Sequence, residues 1–169
     1  MTSADLLADA FGRINGIVEE VLDGADADML TARPEATSNS IAWLVWHLTR
    51  VQDDHVADLA GTEQVWTSAG WAERFALALD VADTGYGHDP DQVAVVRADA
   101  ASLLGYHAAV YASTLEFIAQ LTDTDFDRVV DKRWDPPVTL GVRLISVISD
   151  DLQHAGQAAY LRGVLQRRS

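Results

Sequence analysis

The stretch SDDLQHAGQAAYLRG, residues 149–163, has the apolar periodicity of a helix that packs against a core, yet two carboxylates and a histidine lie at its centre. At roughly 100° per residue, Asp150 and His154 point to the same face, one helical turn apart. A carboxylate and an imidazole at this spacing can bind one metal ion from a single helix. They can equally form a hydrogen-bonded pair, or lie in solvent where the helix leaves the core. Asp151 points about 60° away from His154 and is expected on the flank of this face.

A metal site of this kind needs at least one more protein ligand, and the other histidines are the candidates. His55 lies closest to the centre of the apolar stripe of the second predicted helix, although a hydrogen-bonded core histidine is its commoner role. His47 lies at the edge of that stripe, where a site can reach both core and solvent. We expect His107 to pack in the core and His88 to be solvated in a glycine-rich loop. Periodicity alone does not decide between His47 and His55.

Helical periodicity also dominates the rest of the chain, and strand-like alternation is scarce. Ser38 is a candidate cap for the second helix, Asp89 begins a capping box for the third, and Thr139 can cap the last. Four long helices are predicted, at about residues 4–22, 40–59, 90–120 and 140–165.

The connection between the second and third helices, residues 61–89, is the least regular part of the sequence. It is expected to hold one short helix near residues 70–79. A further connection precedes the last helix, with an extended piece at residues 128–134. Four long helices with one long excursion predict an all-α protein, a four-helix bundle of the up-down type. We expect one domain over residues 1–169.

Composition narrows the function. The net charge is −14, whereas a protein that binds DNA or RNA normally presents a basic face, so we expect no nucleic-acid partner. The chain has no cysteine, which excludes disulfides, a cysteine nucleophile and a thiolate metal site from this chain alone. We see no signal peptide and no uninterrupted apolar run of about 18 residues, so we expect a cytoplasmic protein without a membrane span.

The segments SNSIAWLVWHLTRVQDDHV and PPVTLGVRLISVISDDLQHAGQAAYLRGVL resemble the DinB/YfiT-like superfamily. More narrowly, they resemble its actinobacterial branch of mycothiol-dependent enzymes, which includes mycothiol S-transferases and maleylpyruvate isomerase. The resemblance covers most of the chain and implies a four-helix bundle with metal ligands on the second and last helices. Its pattern is the histidine of W-H-L, with a histidine or acid four residues before the histidine of H-x-G-Q. Those positions are His47, Asp150 and His154, and Asp150 is shorter than the commoner histidine or glutamate.

The resemblance implies a metal-dependent enzyme that uses a mycothiol-type thiol in S-transfer or isomerisation. Zinc is the first choice for a three-ligand site with an open position, and a mixed O/N set also accepts nickel, manganese or iron. An open metal can hold a thiol as the reactive thiolate, which suits a chain without cysteine. The partners would be the thiol and an electrophile, with a possible second copy in a homodimer. The alternative is a DinB-like metal-binding or stress-response protein without thiol transfer.

Four further side chains have two interpretations each. The excursion carries Trp66, Trp71 and Tyr86, which could wall a cleft beside the site or belong to an ordinary packed loop. Arg143 on the last helix could meet a polar group of a ligand, although a solvated charge is its commoner role.

Overall fold

The computed structural model describes residues 1–167. Within them, a short antiparallel sheet and a 3-10 turn at Asp123–Asp127 precede the last helix. The strands are β1 Val129–Asp131 and β2 Val138–Thr139. The helices are α1 Ser3–Leu22, α2 Ala27–Thr31, α3 Ile41–Ala60, α4 Val65–Ser68, α5 Trp71–Phe75, α6 Pro90–Val95, α7 Ala100–Ile118 and α8 Leu140–Gln166.

The four long helices, α1, α3, α7 and α8, confirm the predicted all-α four-helix bundle. Both α1 and α3 pack against α7 and α8, so α1 lies diagonally opposite α3. Each of the four helices contributes apolar side chains to one continuous core. Within the described part of the chain, no helix is both long and apolar enough to cross a membrane.

The order of helix directions differs from the expected up-down bundle, because the neighbours α3 and α7 run parallel. Thr49 contacts His107, and further along both helices Gln52 donates to Thr114 at 2.7 Å. A short loop would force consecutive helices to run antiparallel. The connection at residues 61–99 is long enough to return the chain to the end of the bundle where α3 began.

The predicted third helix at residues 90–120 is two helices, α6 and α7. The capping box that begins at Asp89 is confirmed as the start of α6. The break follows because Asp99 starts a second helix, its side chain accepting the backbone N–H of Ser102 at 2.7 Å. Between the two helices, Val96 adopts an extended backbone and buries its side chain in the core.

The caps predicted for α8 and α3 differ in outcome. Thr139 is confirmed as the cap of α8, accepting the backbone N–H of Val142. The cap of α3 is Ser40, and Ser38 was the wrong choice, because it is Ser40 that accepts the backbone N–H of Trp43 at 3.1 Å. The short helix expected near residues 70–79 is confirmed only in its first half, as α5.

Candidate metal centre

Three side chains from α3 and α8 converge at one end of the groove between these helices. His47 comes from α3, and Asp150 and His154 come from α8. One ligand atom from each lies within 4.8 Å of the other two. Nε2 of His154 is 3.8 Å from Oδ1 of Asp150, and the two imidazole rings are 4.8 Å apart between centroids. Of the two histidines left open by periodicity, it is therefore His47 that lies beside the α8 pair.

The loop after α5 fixes the orientation of the His47 ring. Nδ1 of His47 lies 2.5 Å from the carbonyl oxygen of Thr84. A carbonyl only accepts, so Nδ1 carries the proton and Nε2 keeps its lone pair. The loop can approach this closely because residue 85 is glycine, at φ +91°, where a Cβ would lie 2.7 Å from Nδ1. Burial lowers the pKa of His47 below its ordinary value, and the hydrogen bond with Thr84 opposes this effect only in part. The lowered pKa favours the neutral imidazole, which is the form that binds a metal.

The His154 ring is oriented in the same way from its own helix. Its Nδ1 lies 2.9 Å from the amide oxygen of Gln157, which accepts a hydrogen bond from the N–H at Nδ1. Nε2 of His154 therefore keeps its lone pair on the side of Asp150. A second group that fixes the tautomer of a histidine in this way is typical of metal sites. The glutamine of H-x-G-Q thus has a physical role.

Behind these ligands, a chain of hydrogen bonds holds the rings of Trp43 and His88 in place. Trp43 stacks on His47 with ring centroids 4.5 Å apart. Its Nε1 donates to Nδ1 of His88 at 3.1 Å, and Nε2 of His88 donates to the Asp83 carboxylate at 2.9 Å. The expectation of a solvated His88 is wrong, since only 2% of its side chain is exposed. The loop folds this ring inward because both of its nitrogens find partners there.

The two imidazole nitrogens and the carboxylate oxygen that converge here are ligand types that suit a divalent cation. Oδ2 of Asp150 is buried and has no hydrogen-bond partner within residues 1–167. A buried carboxylate oxygen without a partner is costly, and a cation would supply the partner. Tetrahedral ligands about 2.1 Å from zinc lie about 3.4 Å from one another, so the 3.8 Å pair is close to that spacing.

A cleft of about 380 Å³ opens beside these ligands, between α3, α8 and the excursion. Of the three aromatic residues predicted as its wall, Tyr86 lines it and is 92% exposed. Trp66 is buried in the core, and Trp71 packs over Gly105 of α7. The other lining residues are His47, Val51, Asp54, His55, Thr84, Ser146, Val147 and Asp150.

At the other end of the cleft, two predictions are corrected. His55 was expected in the core, but 34% of its side chain is exposed. Arg143 was expected as a solvated charge, but only 19% of its side chain is exposed. Its guanidinium lies 3.2 Å from Nδ1 of His55 and 3.1 Å from the Asp131 carboxylate. These two partners hold it beside His55, because a buried guanidinium needs acceptors.

The assignment of Asp151 to the flank is also wrong, because its side chain is fully buried. Burial raises the pKa of Asp151 well above its ordinary value, and the neighbouring charge of Asp150 adds to this effect. Neither carboxyl oxygen has a hydrogen-bond partner within the described chain. A neutral carboxylic acid at this position is the physical consequence, and a neutral acid is a poor metal ligand.

Comparison with known proteins now decides the family. The family model of the DinB superfamily matches residues 11–158. The chain belongs to the DinB superfamily. A crystal structure of a conserved protein from Enterococcus faecalis is 34% identical, with 96% of each chain covered and a TM-score of 0.90. No curated protein matches this DinB chain. The narrower resemblance to mycothiol-dependent enzymes therefore stays a prediction.

A buried polar network on the α7-facing side of α3 was not predicted from the sequence of this DinB chain. Tyr106 of α7 donates its hydroxyl to Asp53 at 2.8 Å and accepts from Arg50 at 3.2 Å. Asp53 also accepts the backbone N–H groups of Val65 and Trp66. The network therefore anchors the excursion on the bundle. The available signal was an oppositely charged pair at i and i+3 inside an apolar helix.

The network also supports the candidate metal centre indirectly. Nε of Arg50 donates to the backbone carbonyl of Asp83 at 3.1 Å, directly before the carbonyl that holds His47. The Asp83 carboxylate in turn accepts the backbone N–H of Gly85 at 2.8 Å. Buried charges that face α7 thus fix the loop that orients His47, a candidate ligand one turn earlier on α3.

Proposed function

We propose that this chain is a metal-dependent enzyme that uses a small-molecule thiol of the mycothiol type in S-transfer or isomerisation. One observation carries the proposal: the convergence of His47, Asp150 and His154 beside an open cleft. Both imidazoles are held in the tautomer that a metal ligand needs, and the carboxylate oxygen between α3 and α8 lacks a partner within residues 1–167.

His47, Asp150 and His154 would hold the cation. Two neutral imidazoles and one carboxylate favour zinc with one position left open, and nickel, manganese or iron also accept such a set. A divalent cation there would supply the positive charge that keeps a bound thiol in its thiolate form. Asp150 contributes the anionic charge that offsets part of the cation's charge. Thr84 and Gln157 keep the two imidazole rings in position throughout.

The sulfur must come from a ligand, because the chain has no cysteine. The cleft volume of about 380 Å³ lies within the range of small-molecule sites, roughly 300–1,000 Å³. Val51 and Val147 give it an apolar middle, while Asp54, His55 and Ser146 give it a polar end. A thiol and a small electrophile can meet between these two regions, with Tyr86 at the mouth.

The experiment is native mass spectrometry of the protein after loading with zinc, first alone and then with mycothiol. We expect one zinc per chain and a further mass shift of one thiol. S-methyl mycothiol is the matched control ligand, because it retains the sugar but cannot form a thiolate. His154→Ala is the matched control protein, and it should show neither shift.

Each outcome separates the proposed function from its alternative. Zinc that is bound while mycothiol is ignored would contradict thiol transfer and favour a metal-binding role without it. Equal binding of mycothiol and its S-methyl derivative would show that the sulfur does not meet the metal. A wild-type chain that takes up no divalent metal would contradict the whole site.

A further inference from the structure

The end of the cleft opposite the candidate metal centre is built around His55. This residue follows His47 by two turns of α3, a rise of about 12 Å. It lines the same cleft, with Asp54 and Ser146 beside it. Unlike His47, it lies away from the α8 carboxylate and imidazole, and its hydrogen-bond partner is Arg143.

The contact with Arg143 decides which nitrogen of His55 carries a proton. A guanidinium has only donors, so at 3.2 Å Nδ1 of His55 must accept and Nε2 must carry the hydrogen. The Asp54 carboxylate would favour a proton on Nδ1, but it lies 4.0 Å away, beyond hydrogen-bond distance. Burial, and then the charge of Arg143, lower the pKa of His55, in agreement with a neutral ring.

Arg143 is itself held in place by Asp131, which lies on β1. Its Nη2 donates to Asp131 at 3.1 Å, and Asp131 also accepts from Arg133 at 2.8 Å. The carboxylate is nearly buried, with 7% of its side chain exposed, whereas Arg133 is on the surface. The small sheet therefore fixes the guanidinium, and the guanidinium fixes the tautomer of His55.

The charges at this end disfavour a ligand with a negative group. The charge of Arg143 is already offset by Asp131, and the part-exposed Asp54 carboxylate faces the cleft. A neutral hydrogen-bond donor beside a carboxylate suits an uncharged oxygen, either an amide carbonyl or a hydroxyl group. The apolar middle formed by Val51 and Val147 suits an aliphatic link between this oxygen and the metal end.

We infer that His55, as the neutral tautomer with its hydrogen on Nε2, is a ligand-binding donor that orients the substrate in the cleft. The substrate is then an elongated thiol whose sulfur and uncharged acceptor oxygen reach two groups that are separated by about 12 Å of rise along α3. The position of the sulfur rests on the proposed function, whereas the tautomer of His55 does not.

The tautomer is tested on the ¹⁵N-labelled protein without metal, by two-bond ¹H–¹⁵N correlation spectra at pH 7. We expect Nε2 of His55 to be protonated and Nδ1 to be an acceptor. Arg143→Leu should give a mixture of tautomers, with Asp131 still paired to Arg133. Arg133→Leu is the matched control, because it removes the other partner of Asp131 and should leave His55 unchanged. A wild-type ring protonated on Nδ1, or on both nitrogens, would overturn the inference.

The ligand class is tested by calorimetric titration of the zinc-loaded protein with two uncharged thiols. Pantetheine carries amide and hydroxyl oxygens far from its sulfur, whereas N-acetylcysteamine carries only one near it. We expect pantetheine to bind about tenfold more tightly, the equivalent of one hydrogen bond. His55→Leu should abolish this difference, and His55→Gln, which retains an N–H donor, should restore part of it.

Metal content separates a failure here from a failure of the proposed function. Every His55 variant should keep the wild-type zinc stoichiometry. Loss of zinc in His55→Leu would make His55 a metal ligand and overturn its role as a donor. Equal affinity of the two thiols for a zinc-loaded wild type would overturn the substrate class while leaving the metal centre intact. Failure of the wild type to bind zinc would contradict the proposed function, and the NMR result would still decide the tautomer.

Discussion

The buried polar side chains of α3 that face α7 and those that face α8 differ in how far they hydrogen-bond to one another. Toward α7, Arg50, Asp53 and Tyr106 bond to one another and to backbone groups of the excursion, and of their side-chain polar atoms Nη2 of Arg50 lacks a partner within residues 1–167. Toward α8, His47 and its two neighbours bring ligand atoms together without closing hydrogen bonds among them. Charged groups that bond to one another stabilise the fold, whereas ligand atoms that converge without bonding to one another have unused capacity that a ligand can take up. Polar residues on one helix can thus be assigned to structure or to function by their partners.

On the α7 side, we expect the largest loss of stability from a substitution at Asp53. Asp53→Ala leaves Arg50 buried without its counter-charge and removes the acceptor for two backbone N–H groups. We expect the free energy of unfolding to fall by about 3–5 kcal/mol, measured by urea denaturation. The control is Asp9→Ala, which removes an exposed ion pair with Arg13 and should change nothing measurable. A variant at Asp53 as stable as this control would contradict a structural role for the network.

A buried histidine on the α7 side, His107, makes the stability of the protein depend on pH. His107 is buried against Thr49, and burial lowers its pKa from 6.5 to about 4. The unfolded chain therefore binds a proton that the folded chain excludes, so stability is complete above pH 6.5 and is lost as the pH falls toward 4. We expect His107 to account for about 2 kcal/mol of lost stability between pH 7 and pH 5.

His107→Leu is the variant that isolates this effect, because leucine cannot take up a proton. Urea denaturation of both proteins at pH 7 and pH 5 should give a clearly smaller loss of unfolding free energy for the variant. An identical loss in both proteins would mean that His107 is accessible to protons in the folded chain.

On the α8 side, Gln157 allows metal affinity to be changed separately from stability, because it orients a candidate ligand without being one. Gln157→Leu removes the acceptor that fixes the His154 tautomer. We expect zinc affinity to fall about 10–100-fold, measured by competition with a chelator, with an unchanged unfolding free energy of the metal-free protein. The matched control is Gln153→Leu, one turn earlier, whose hydrogen bonds go to Ser149. Equal losses in the two variants would contradict the orienting role of Gln157.

The smallest effect is expected at Asp151, the acid that is buried beside the site but outside it. Asp151→Val replaces a buried carboxyl group with an apolar group of similar size. We expect the unfolding free energy to rise by about 1 kcal/mol, because the cost of burying the carboxyl group disappears. Zinc content should be unchanged. A loss of stability of several kcal/mol would mean that Asp151 has a partner that compensates its burial.

Periodicity and capping residues predicted the four long helices, because each depends on residues within a few positions of one another. The break before α7 escaped prediction because Asp99 forms its cap within an otherwise helical pattern. The parallel arrangement of α3 and α7 was not predicted either. It depends on the end of the bundle to which the long connection brings the chain back, and no local sequence pattern encodes this.

The candidate site was predictable only in part, for a similar reason. The α8 pair followed from its spacing, whereas His47 came from the W-H-L motif and not from the helical wheel. Asp151 was misassigned because α8 packs against both α1 and α3, so a wide arc of this helix is buried. The burial of His88 depends on Asp83 and Trp43, which only the folded loop brings to its two nitrogens.

Metal content per chain in three single variants tests the central claim most directly. We expect one zinc per chain in the wild type, none in His154→Ala, weakened binding in Asp150→Asn, and one per chain in Asp151→Asn. Far-ultraviolet circular dichroism should show the same helical content in all four proteins. Retention of stoichiometric zinc by His154→Ala, or its loss from Asp151→Asn but not from Asp150→Asn, would contradict the site formed by His47, Asp150 and His154.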